Sequence, residues 1–129
     1  MSLIKRFYAD LMDCSVYDSR VAMGQAAADL TERLILALQS SQEEINLMMS
    51  IGESQVTMFD ALFAKPSIDW RKINIFHVDE KLTLAEDNPL SGQARLRKFI
   101  DRVPYKAGYF FNGVAENPQT ECGRYAALI

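Results

Sequence analysis

Short apolar runs alternate with segments of helical periodicity along most of this chain, and no other feature restricts the fold as strongly. The runs at residues 45–51 and 73–78 have the length of buried strands, and segments with a helical apolar period lie on either side of them. Strands that are apolar throughout are typical of parallel sheets covered on both faces. The alternation therefore predicts an α/β fold: a three-layer, mostly parallel sheet with helices on both faces.

Capping residues and helix breakers indicate where the elements begin and end. We predict a first strand or extended arm over residues 7–16, and the pair Asp18-Ser19 offers a cap for the first helix. The predicted helices cover residues 21–39, 55–64, 89–102 and 119–128, and the predicted later strands cover residues 45–51, 73–78 and 108–111. In the first helix the helical period is followed by Leu30, Leu34, Ile35 and Leu38. At 129 residues the chain has the length of a single domain, residues 1–129.

Composition and charge exclude several classes of protein. The formal net charge is -3 and the sequence pI is about 5.1, which disfavours binding to a phosphate backbone, so we expect no nucleic-acid partner. No apolar stretch approaches the ~20 residues that cross a membrane, and no apolar segment of a signal peptide follows Lys5-Arg6. The two cysteines, Cys14 and Cys122, form no CxxC motif and favour a reducing, cytoplasmic location.

Ligands of parallel sheets bind outside the carboxyl ends of the strands, and this rule selects the turn at residues 51–54. Gly52 lets the backbone approach a ligand, and free N–H groups at the start of the next helix attract an anion. Ser54 adds a hydroxyl donor, so the geometry suits a phosphate monoester. The carboxylate of Glu53 would repel a phosphate unless it points away, and the same residues are also consistent with an ordinary tight turn.

The same rule selects the loop that begins with Asp79 and Glu80, directly after residues 73–78. A carboxylate at that boundary is expected to be half-buried, which raises its pKa and makes it a better base for removing a proton next to a carbonyl. Adjacent side chains tend to point apart, so one acid should face a ligand and the other should anchor the loop. The alternative is structural: these acids cap a helix or form a surface salt bridge.

His77 is the only histidine, and the period of an extended chain places it on the same face as Asp79. It could orient or tune that carboxylate, or it could be an ordinary core residue. One histidine without clustered acids or thiols leaves too few ligands for a metal site. The basic residues that follow Pro89 are interpreted as a solvated helix face: Arg95, Arg97, Lys98 and Arg102.

The order of short motifs along the chain resembles that of one enzyme family. The motifs are Gly52-Glu53-Ser54-Gln55, Phe59-Asp60-Ala61-Leu62, Asp69-Trp70, Phe76-His77-Val78-Asp79-Glu80, Asn88-Pro89-Leu90-Ser91, Phe111-Asn112-Gly113 and Glu121-Cys122-Gly123-Arg124-Tyr125. From about Met23 to the last residue this series resembles the glucosamine-6-phosphate isomerase/deaminase family, which is related to the 6-phosphogluconolactonases. Its most specific part is the strand that ends in Asp-Glu, with a Pro-x-Ser helix start further along.

The resemblance implies a Rossmann-like sheet and a division of roles among the candidate residues. Gly52, Glu53 and Ser54 would form the turn that binds the sugar phosphate, through backbone N–H groups and the Ser54 hydroxyl. Asp79 would be the catalytic base that moves a proton between C1 and C2 of the opened sugar, and Glu80 would help to shape the site. The ligand would be a hexose or hexosamine 6-phosphate: an amino sugar 6-phosphate on one side of the reaction, a ketose 6-phosphate and ammonia on the other. No metal and no organic cofactor is implied.

The chain differs from the family pattern at three residues in or near the candidate site, and it lacks motifs that family members have further along. Family members usually have a small residue in place of Glu53, an aromatic residue in place of Lys81 and glycine in place of Thr83; Lys81 could bring positive charge to the site. Family members also continue with motifs that supply a ring-opening histidine and a phosphate-binding lysine, and nothing in this sequence matches them.

We therefore expect the N-terminal portion of such an enzyme, apparently truncated, with little or no turnover on its own. The uncovered apolar surface of an incomplete sheet would lead to a homo-oligomer or to packing against a missing C-terminal segment. Two other hypotheses remain open: a non-catalytic module that binds a sugar phosphate, and a hydrolase similar to the 6-phosphogluconolactonases.

Overall fold

The computed structural model describes residues 2–129 and has an α/β architecture. Its strands are β1 (Leu3–Ala9), β2 (Met12–Tyr17), β3 (Ile45–Met49), β4 (Ile73–His77) and β5 (Ala107–Tyr109). Its helices are α1 (Arg20–Gln39), α2 (Val56–Leu62), α3 (Gly92–Ile100) and α4 (Pro118–Ala126), and short 3-10 turns cover Glu53–Gln55 and Trp70–Lys72. The predicted α/β class is confirmed, although several element boundaries shift.

The central sheet has three parallel strands in the order β3, β4, β5. Ile45 of β3 lies opposite Ile73 of β4, and Asn74 of β4 lies opposite Ala107 of β5. Helix α2 connects β3 to β4, and α3 connects β4 to β5, as the crossover between parallel strands requires. Every residue of β4 is buried, because this strand has a neighbour on each side and packed side chains on both faces.

Helices cover both faces of this sheet. On one face Ile73 and Ile75 pack into a core to which three helices contribute. The helical members of this core are Ala28 and Ile35 of α1, Phe59 and Leu62 of α2, and Leu96, Phe99 and Ile100 of α3. On the other face the ring of Phe76 stacks on Tyr109 at 4.6 Å and meets the ring of Tyr125, from α4, edge-on at 6.4 Å. Since alternate residues of a strand point to opposite faces, the predicted three-layer arrangement is confirmed.

Helix α1 begins at its predicted cap and packs closely on α2. The Ser19 hydroxyl accepts a hydrogen bond from the Ala22 N–H at 3.1 Å. The two helices approach each other at Gly24, where a β-carbon would lie 2.5 Å from Oγ1 of Thr57. Of the apolar residues that follow the helical period of α1, Ile35 is buried. The others are exposed: Leu30, Leu34 and Leu38.

The prediction of one strand or arm over residues 7–16 is wrong. The structure has two antiparallel strands there, β1 and β2, which form a hairpin. Asp10, in the turn between them, has a φ of 55°, a left-handed conformation that aspartate adopts more readily than most residues. The hairpin contributes nothing to the core and exposes many apolar side chains, among them Leu3, Ile4, Tyr8, Leu11 and Met12.

Helix α3 begins later than the sequence predicts. Pro89 was expected at its first turn, but the helix begins at Gly92 and is capped by Ser91, whose hydroxyl accepts a backbone N–H of the first turn at 3.0 Å. Pro89 lies instead in a turn, where Oδ1 of Asn88 accepts a hydrogen bond from the Leu90 N–H at 2.9 Å. An asparagine side chain bonded in this way competes with helix formation, which explains the later start.

The outer edges of the central sheet are unpaired within residues 2–129, because β3 and β5 each have one neighbouring strand. The side chain of Met48 on β3 is 49% exposed. Every open sheet has two such edges, and an exposed apolar residue on an edge strand is a possible contact for another segment or chain. The homo-oligomer or the packing against a further segment stays a prediction.

Two further features bear on the expectations from composition. None of the helices in the described part of the chain combines the length and the apolarity needed to cross a bilayer. Cys14 is partly buried and Cys122 is exposed, and both are free thiols.

Candidate active site

The two places selected from the sequence lie side by side at the carboxyl edge of the central sheet. Strand β3 ends at Met49 and β4 ends at His77, and the Val78 N–H donates to the Met49 carbonyl oxygen at 3.1 Å. The turn that contains Gly52 and the loop that begins at Asp79 therefore leave the sheet from adjacent strands. This edge is where parallel sheets bind their ligands.

Glu80 is anchored by three backbone N–H groups. Its Oε1 accepts hydrogen bonds from Lys81 and Gly92, both at 2.7 Å, and its Oε2 accepts one from Gln93 at 2.8 Å. Gly92 and Gln93 begin α3, so the carboxylate lies at the positive end of that helix. Burial opposes the charged form, but the N–H donors outweigh it and lower the pKa of Glu80 below its usual value. Glu80 is thus the acid of the pair that anchors the loop.

Asp79 has a different environment, because it is exposed. The half-buried position expected for this acid is therefore wrong. A cavity of about 230 Å³ lies beside Asp79 and Glu80, and most of its lining is apolar. The apolar lining includes Val78, Leu82, Phe111, Ala115 and Pro118. An accessible acid next to an apolar recess can meet the reacting carbon of a ligand while part of that ligand is shielded from water.

The loop after Glu80 is held against the segment that follows β5. The Thr83 N–H donates to the Gly113 carbonyl oxygen at 2.7 Å, and a β-carbon on Gly113 would lie only 2.7 Å from the Lys81 carbonyl oxygen. Thr83 has a φ of 69°, a conformation that glycine adopts freely and a β-branched residue does not. Glycine, which the family pattern usually has at this position, would adopt the same φ without strain. Lys81, the other candidate in this loop, is exposed.

His77 lies beneath the loop and is completely buried. Neither ring nitrogen has a hydrogen-bond partner within residues 2–129, so His77 does not bond to Asp79. A β-carbon on Gly92 would lie 2.6 Å from Nε2, which shows how closely the start of α3 packs on this ring. Burial lowers the pKa of His77, and the nearby carboxylates of Glu80 and Asp79 offset the effect only in part. His77 is therefore a neutral core residue whose ring packs against Gly92 at the start of α3.

Helix α4 holds the end of β4 in place, a role that the sequence did not reveal. The Tyr125 hydroxyl donates to the His77 carbonyl oxygen at 2.5 Å. On the same helix, Glu121 accepts a hydrogen bond from the Asn112 N–H at 2.6 Å and forms an ion pair with Arg124 at 2.6 Å. The Arg124 guanidinium and the Asn112 N–H lower the pKa of Glu121 to about 2. The motif that contains Glu121 and Tyr125 carried part of the resemblance, but only the folded chain shows what these side chains contact.

The turn at Gly52 is shaped by Gln55, which enters the sequence analysis only as the last residue of the motif at 52–55. The Gly52 N–H donates to Oε1 of Gln55 at 2.6 Å, and Nε2 of Gln55 donates to the Ser50 hydroxyl at 2.9 Å. A β-carbon on Gly52 would lie 2.9 Å from that same Oε1, so glycine suits this position. Glu53 and Ser54 are exposed, and the binding of a phosphate by this turn stays a prediction.

Two arginines reach this turn from other elements. The guanidinium of Arg20, at the start of α1, donates to the Glu53 carbonyl oxygen. Arg95, in the first half of α3, forms an ion pair with the Glu53 carboxylate at 3.0 Å, and the Arg95 side chain is only 30% exposed. The interpretation of Arg95 as part of a solvated helix face is therefore wrong. The pair also joins the two halves of the candidate site, since Glu53 lies in the turn and Arg95 on the helix anchored by Glu80.

Curated relatives of this chain include bacterial glucosamine-6-phosphate deaminases. The enzyme of Lacticaseibacillus paracasei is 27% identical over 119 residues, which cover 92% of this chain and 48% of the relative. The enzyme of Bacillus cytotoxicus is 25% identical over 119 residues, which cover 92% of this chain and 44% of the relative. The chain thus spans about half the length of the curated relatives it matches.

Solved structures with the same fold come from two kinds of enzyme. A monomeric glucosamine-6-phosphate deaminase superposes with a TM-score of 0.74 at 20% identity, over 87% of this chain and 47% of that one. A 6-phosphogluconolactonase from Shewanella baltica superposes with a TM-score of 0.74 at 17% identity, over 87% of this chain and 48% of that one. At these identities the likeness establishes a shared Rossmann-like fold.

A family model defines the relationship more closely. The model described as glucosamine-6-phosphate isomerases/6-phosphogluconolactonase matches residues 18–129. The matched region contains the central sheet, all four helices and both parts of the candidate site, and it leaves out the N-terminal hairpin. The chain therefore belongs to the glucosamine-6-phosphate isomerase/6-phosphogluconolactonase family.

Proposed function

We propose that this chain supplies the catalytic base and the phosphate-binding turn of an isomerase/deaminase that acts on an amino sugar 6-phosphate. The observation that carries the proposal is an accessible Asp79 next to an anchored Glu80 at the carboxyl edge of the sheet. The turn of Gly52, Glu53 and Ser54 leaves the same edge from the adjacent strand. A sugar whose phosphate binds at the turn can then extend its C1 and C2 towards Asp79. The deaminase relatives support this choice of substrate class.

In this proposal Asp79 acts on the open-chain form of the sugar. Its carboxylate removes the proton from C2, which the C1 carbonyl makes acidic, while the C1 oxygen takes up a proton from water; the carboxylate then delivers its proton to C1 of the resulting enolamine. The C2–nitrogen bond becomes an imine as C1 is protonated, and water hydrolyses the imine to a ketose 6-phosphate and ammonia. Glu80 stays ionised because backbone N–H groups stabilise its charge, and it keeps the loop and Asp79 in position.

We further propose that the 129-residue chain alone binds the sugar phosphate but releases little ammonia. Opening the sugar ring requires a group that moves a proton at the ring oxygen. The family resemblance assigns this step to a histidine, and His77, the only histidine of the chain, is completely buried. Ring opening would therefore limit turnover, whereas proton transfer on an already open sugar would not be limited in this way.

Hydrogen exchange at carbon tests the role of Asp79 without ring opening by the protein. Fructose 6-phosphate, which contains an open-chain fraction in solution, is incubated with the chain in D₂O, and deuterium at C1 is measured by NMR. We expect exchange above the buffer rate, and we expect Asp79→Asn to reduce it by roughly a hundredfold or more, the range of general base catalysis.

The matched control is Asp87→Asn, which changes an exposed acid in the same loop and should exchange like the parent chain. Equal exchange by the parent chain and by Asp79→Asn would show that Asp79 is not the base. Ammonia release from glucosamine 6-phosphate is measured in parallel, and rapid release by the 129-residue chain would contradict the proposed limit from ring opening.

A lactonase is the second candidate, because the 6-phosphogluconolactonase structure matches the fold as closely as the deaminase structure does, with a TM-score of 0.74 in each case. Hydrolysis of a lactone needs no proton transfer between carbons. Hydrolysis of 6-phosphogluconolactone above its spontaneous rate, without deuterium exchange into fructose 6-phosphate, would favour this candidate. Calorimetric binding of glucosamine 6-phosphate with neither activity would instead identify a non-catalytic binding module.

A further inference from the structure

Charged groups from three elements meet at the turn of residues 52–55. Arg20 of α1 donates to the Glu53 carbonyl oxygen, and Arg95 of α3 pairs with the Glu53 carboxylate at 3.0 Å. At Glu53 itself two guanidinium groups face one carboxylate, a local excess of positive charge, although the Asp79 and Glu80 carboxylates begin the neighbouring loop and the formal net charge of the chain is -3. Such a local excess attracts an anion even though the whole chain is acidic.

The two arginines lie on helices whose first turns are fixed to other elements, whereas Glu53 lies in an exposed turn. The Arg20 carbonyl oxygen accepts a hydrogen bond from the Thr57 hydroxyl at 3.2 Å, which fixes the start of α1 against α2. Arg95 lies on α3, whose first N–H groups bind the Glu80 carboxylate. The Arg95 side chain is 30% exposed and the Glu53 side chain is 83% exposed. The Glu53 carboxylate is therefore the more mobile partner of the pair, and the Arg95 side chain is the more buried one.

An exposed ion pair of this kind is weak, because water and salt screen it and two flexible side chains lose freedom in forming it. A phosphate dianion offers a stronger partner, since its oxygens match the planar fork of a guanidinium and accept N–H groups as well. When a phosphate ligand binds at the turn, it should therefore replace the Glu53 carboxylate as the partner of Arg95.

We propose that Arg95 determines the affinity of this turn for phosphate, and that Glu53 is an internal anion which the phosphate displaces from it. The inference rests on the proposed function, which places the sugar phosphate at this turn. The proposal explains why a carboxylate lies in a turn that binds phosphate. In the free protein Glu53 pairs with Arg95, and in the complex the Glu53 carboxylate moves away and the phosphate pairs with Arg95.

The two partners should then have opposite effects on binding. Arg95→Gln removes a cation from the phosphate and should weaken the binding of glucosamine 6-phosphate about tenfold, as expected for the loss of a charge-assisted contact. Glu53→Gln removes the competing anion and should tighten binding by a few fold, as expected for an exposed pair. If the ion pair served only to join α3 to the turn, both substitutions would weaken the binding of glucosamine 6-phosphate.

The experiment is calorimetric titration of the full chain with glucosamine 6-phosphate at low salt, for the parent, Arg95→Gln and Glu53→Gln. Arg102→Gln is the matched control, since this arginine pairs with Asp60 at 2.7 Å and is 46% exposed. It should bind like the parent. Inorganic phosphate should reproduce the order of affinities, and glucosamine without phosphate should show no difference between the variants. Circular dichroism verifies that each variant is folded.

The outcomes separate this inference from the function on which it rests. If Ser54→Ala weakens binding but Arg95→Gln does not, the turn binds phosphate without Arg95 and the inference is wrong. If Glu53→Gln weakens binding as Arg95→Gln does, Glu53 positions the arginine rather than competing with the ligand, and the inference is again wrong. If the parent chain binds neither glucosamine 6-phosphate nor inorganic phosphate at millimolar concentration, the proposed function fails together with the inference.

Discussion

Replacing Glu80 by glutamine should destabilise the chain by about 2 kcal/mol at neutral pH. The carboxylate accepts three backbone N–H groups, at 2.7, 2.7 and 2.8 Å. A glutamine amide retains one carbonyl oxygen for two of them and turns an NH₂ group towards the third. The loss of one charged hydrogen bond costs about 1.5 kcal/mol, and the loss of a negative charge at the start of α3 costs roughly 0.5 kcal/mol more.

Urea unfolding followed by circular dichroism measures this loss, and for a domain of this size it corresponds to a fall in Tm of about 8 °C. Glu86→Gln is the matched control, because the Glu86 carboxylate is exposed and accepts one bond, from Nε2 of Gln93 at 3.2 Å. We expect the control to stay within about 0.5 kcal/mol of the parent. An equal loss for both variants would indicate a general effect of charge.

The loss should also depend on pH in a defined direction. The folded pKa of Glu80 lies below its ordinary value of 4.5, so the charged carboxylate contributes its full stabilisation above that pH and loses it as the pH falls through the folded pKa. The difference between the parent and Glu80→Gln should therefore shrink in acid. A difference that is absent at pH 7, or that stays constant into acid, would refute the role assigned to the three N–H groups.

Three other substitutions test separate parts of the fold. Thr83→Gly should stabilise the chain by roughly 0.5–1 kcal/mol in thermal unfolding, because the φ of 69° strains threonine by more than glycine costs in chain entropy. Gly24→Ala should destabilise it by about 1–2 kcal/mol in urea, since the new β-carbon would lie 2.5 Å from Oγ1 of Thr57 and the overlap outweighs the better helix propensity of alanine. Glu121→Gln should be less stable than the parent at neutral pH, and this deficit should disappear between pH 4.5 and about 2, the ordinary and folded pKa values of Glu121; a deficit that persists at pH 2 would contradict the ion pair.

The parts of the site that follow from local rules could be predicted from the sequence. The run at residues 73–78 has the length and apolarity of a buried strand, and the structure has β4 at Ile73–His77. The position of Asp79 just past that strand then follows from the rule for parallel sheets. The division between an anchoring acid and an exposed acid follows from the opposite directions of neighbouring side chains, although only the folded chain shows that Glu80 is the anchor.

The parts that depend on contacts between distant segments could not be predicted. Helix capping was one alternative for the acids at 79 and 80, and Glu80 does bind N–H groups that begin α3, but no spacing in the sequence indicates which helix is capped or by which acid. Arg95 has the same local pattern as Lys98 and Arg102, which are exposed, so nothing local distinguishes the arginine that meets Glu53. The N-terminal hairpin was missed because its turn has Asp10 in a left-handed conformation without the glycine that usually marks one.

The outer edge of β3 has no partner strand among residues 2–129, and this has a consequence for the behaviour of the chain at high concentration. Residues 45–51 contain no charged residue and no proline, which is the composition of segments that add to one another strand by strand. During refolding this edge would act as a template for ordered aggregation, and the yield of soluble protein would fall as concentration rises. A lysine in place of Met48, whose side chain is 49% exposed, would serve as a gatekeeper at that edge without entering the core.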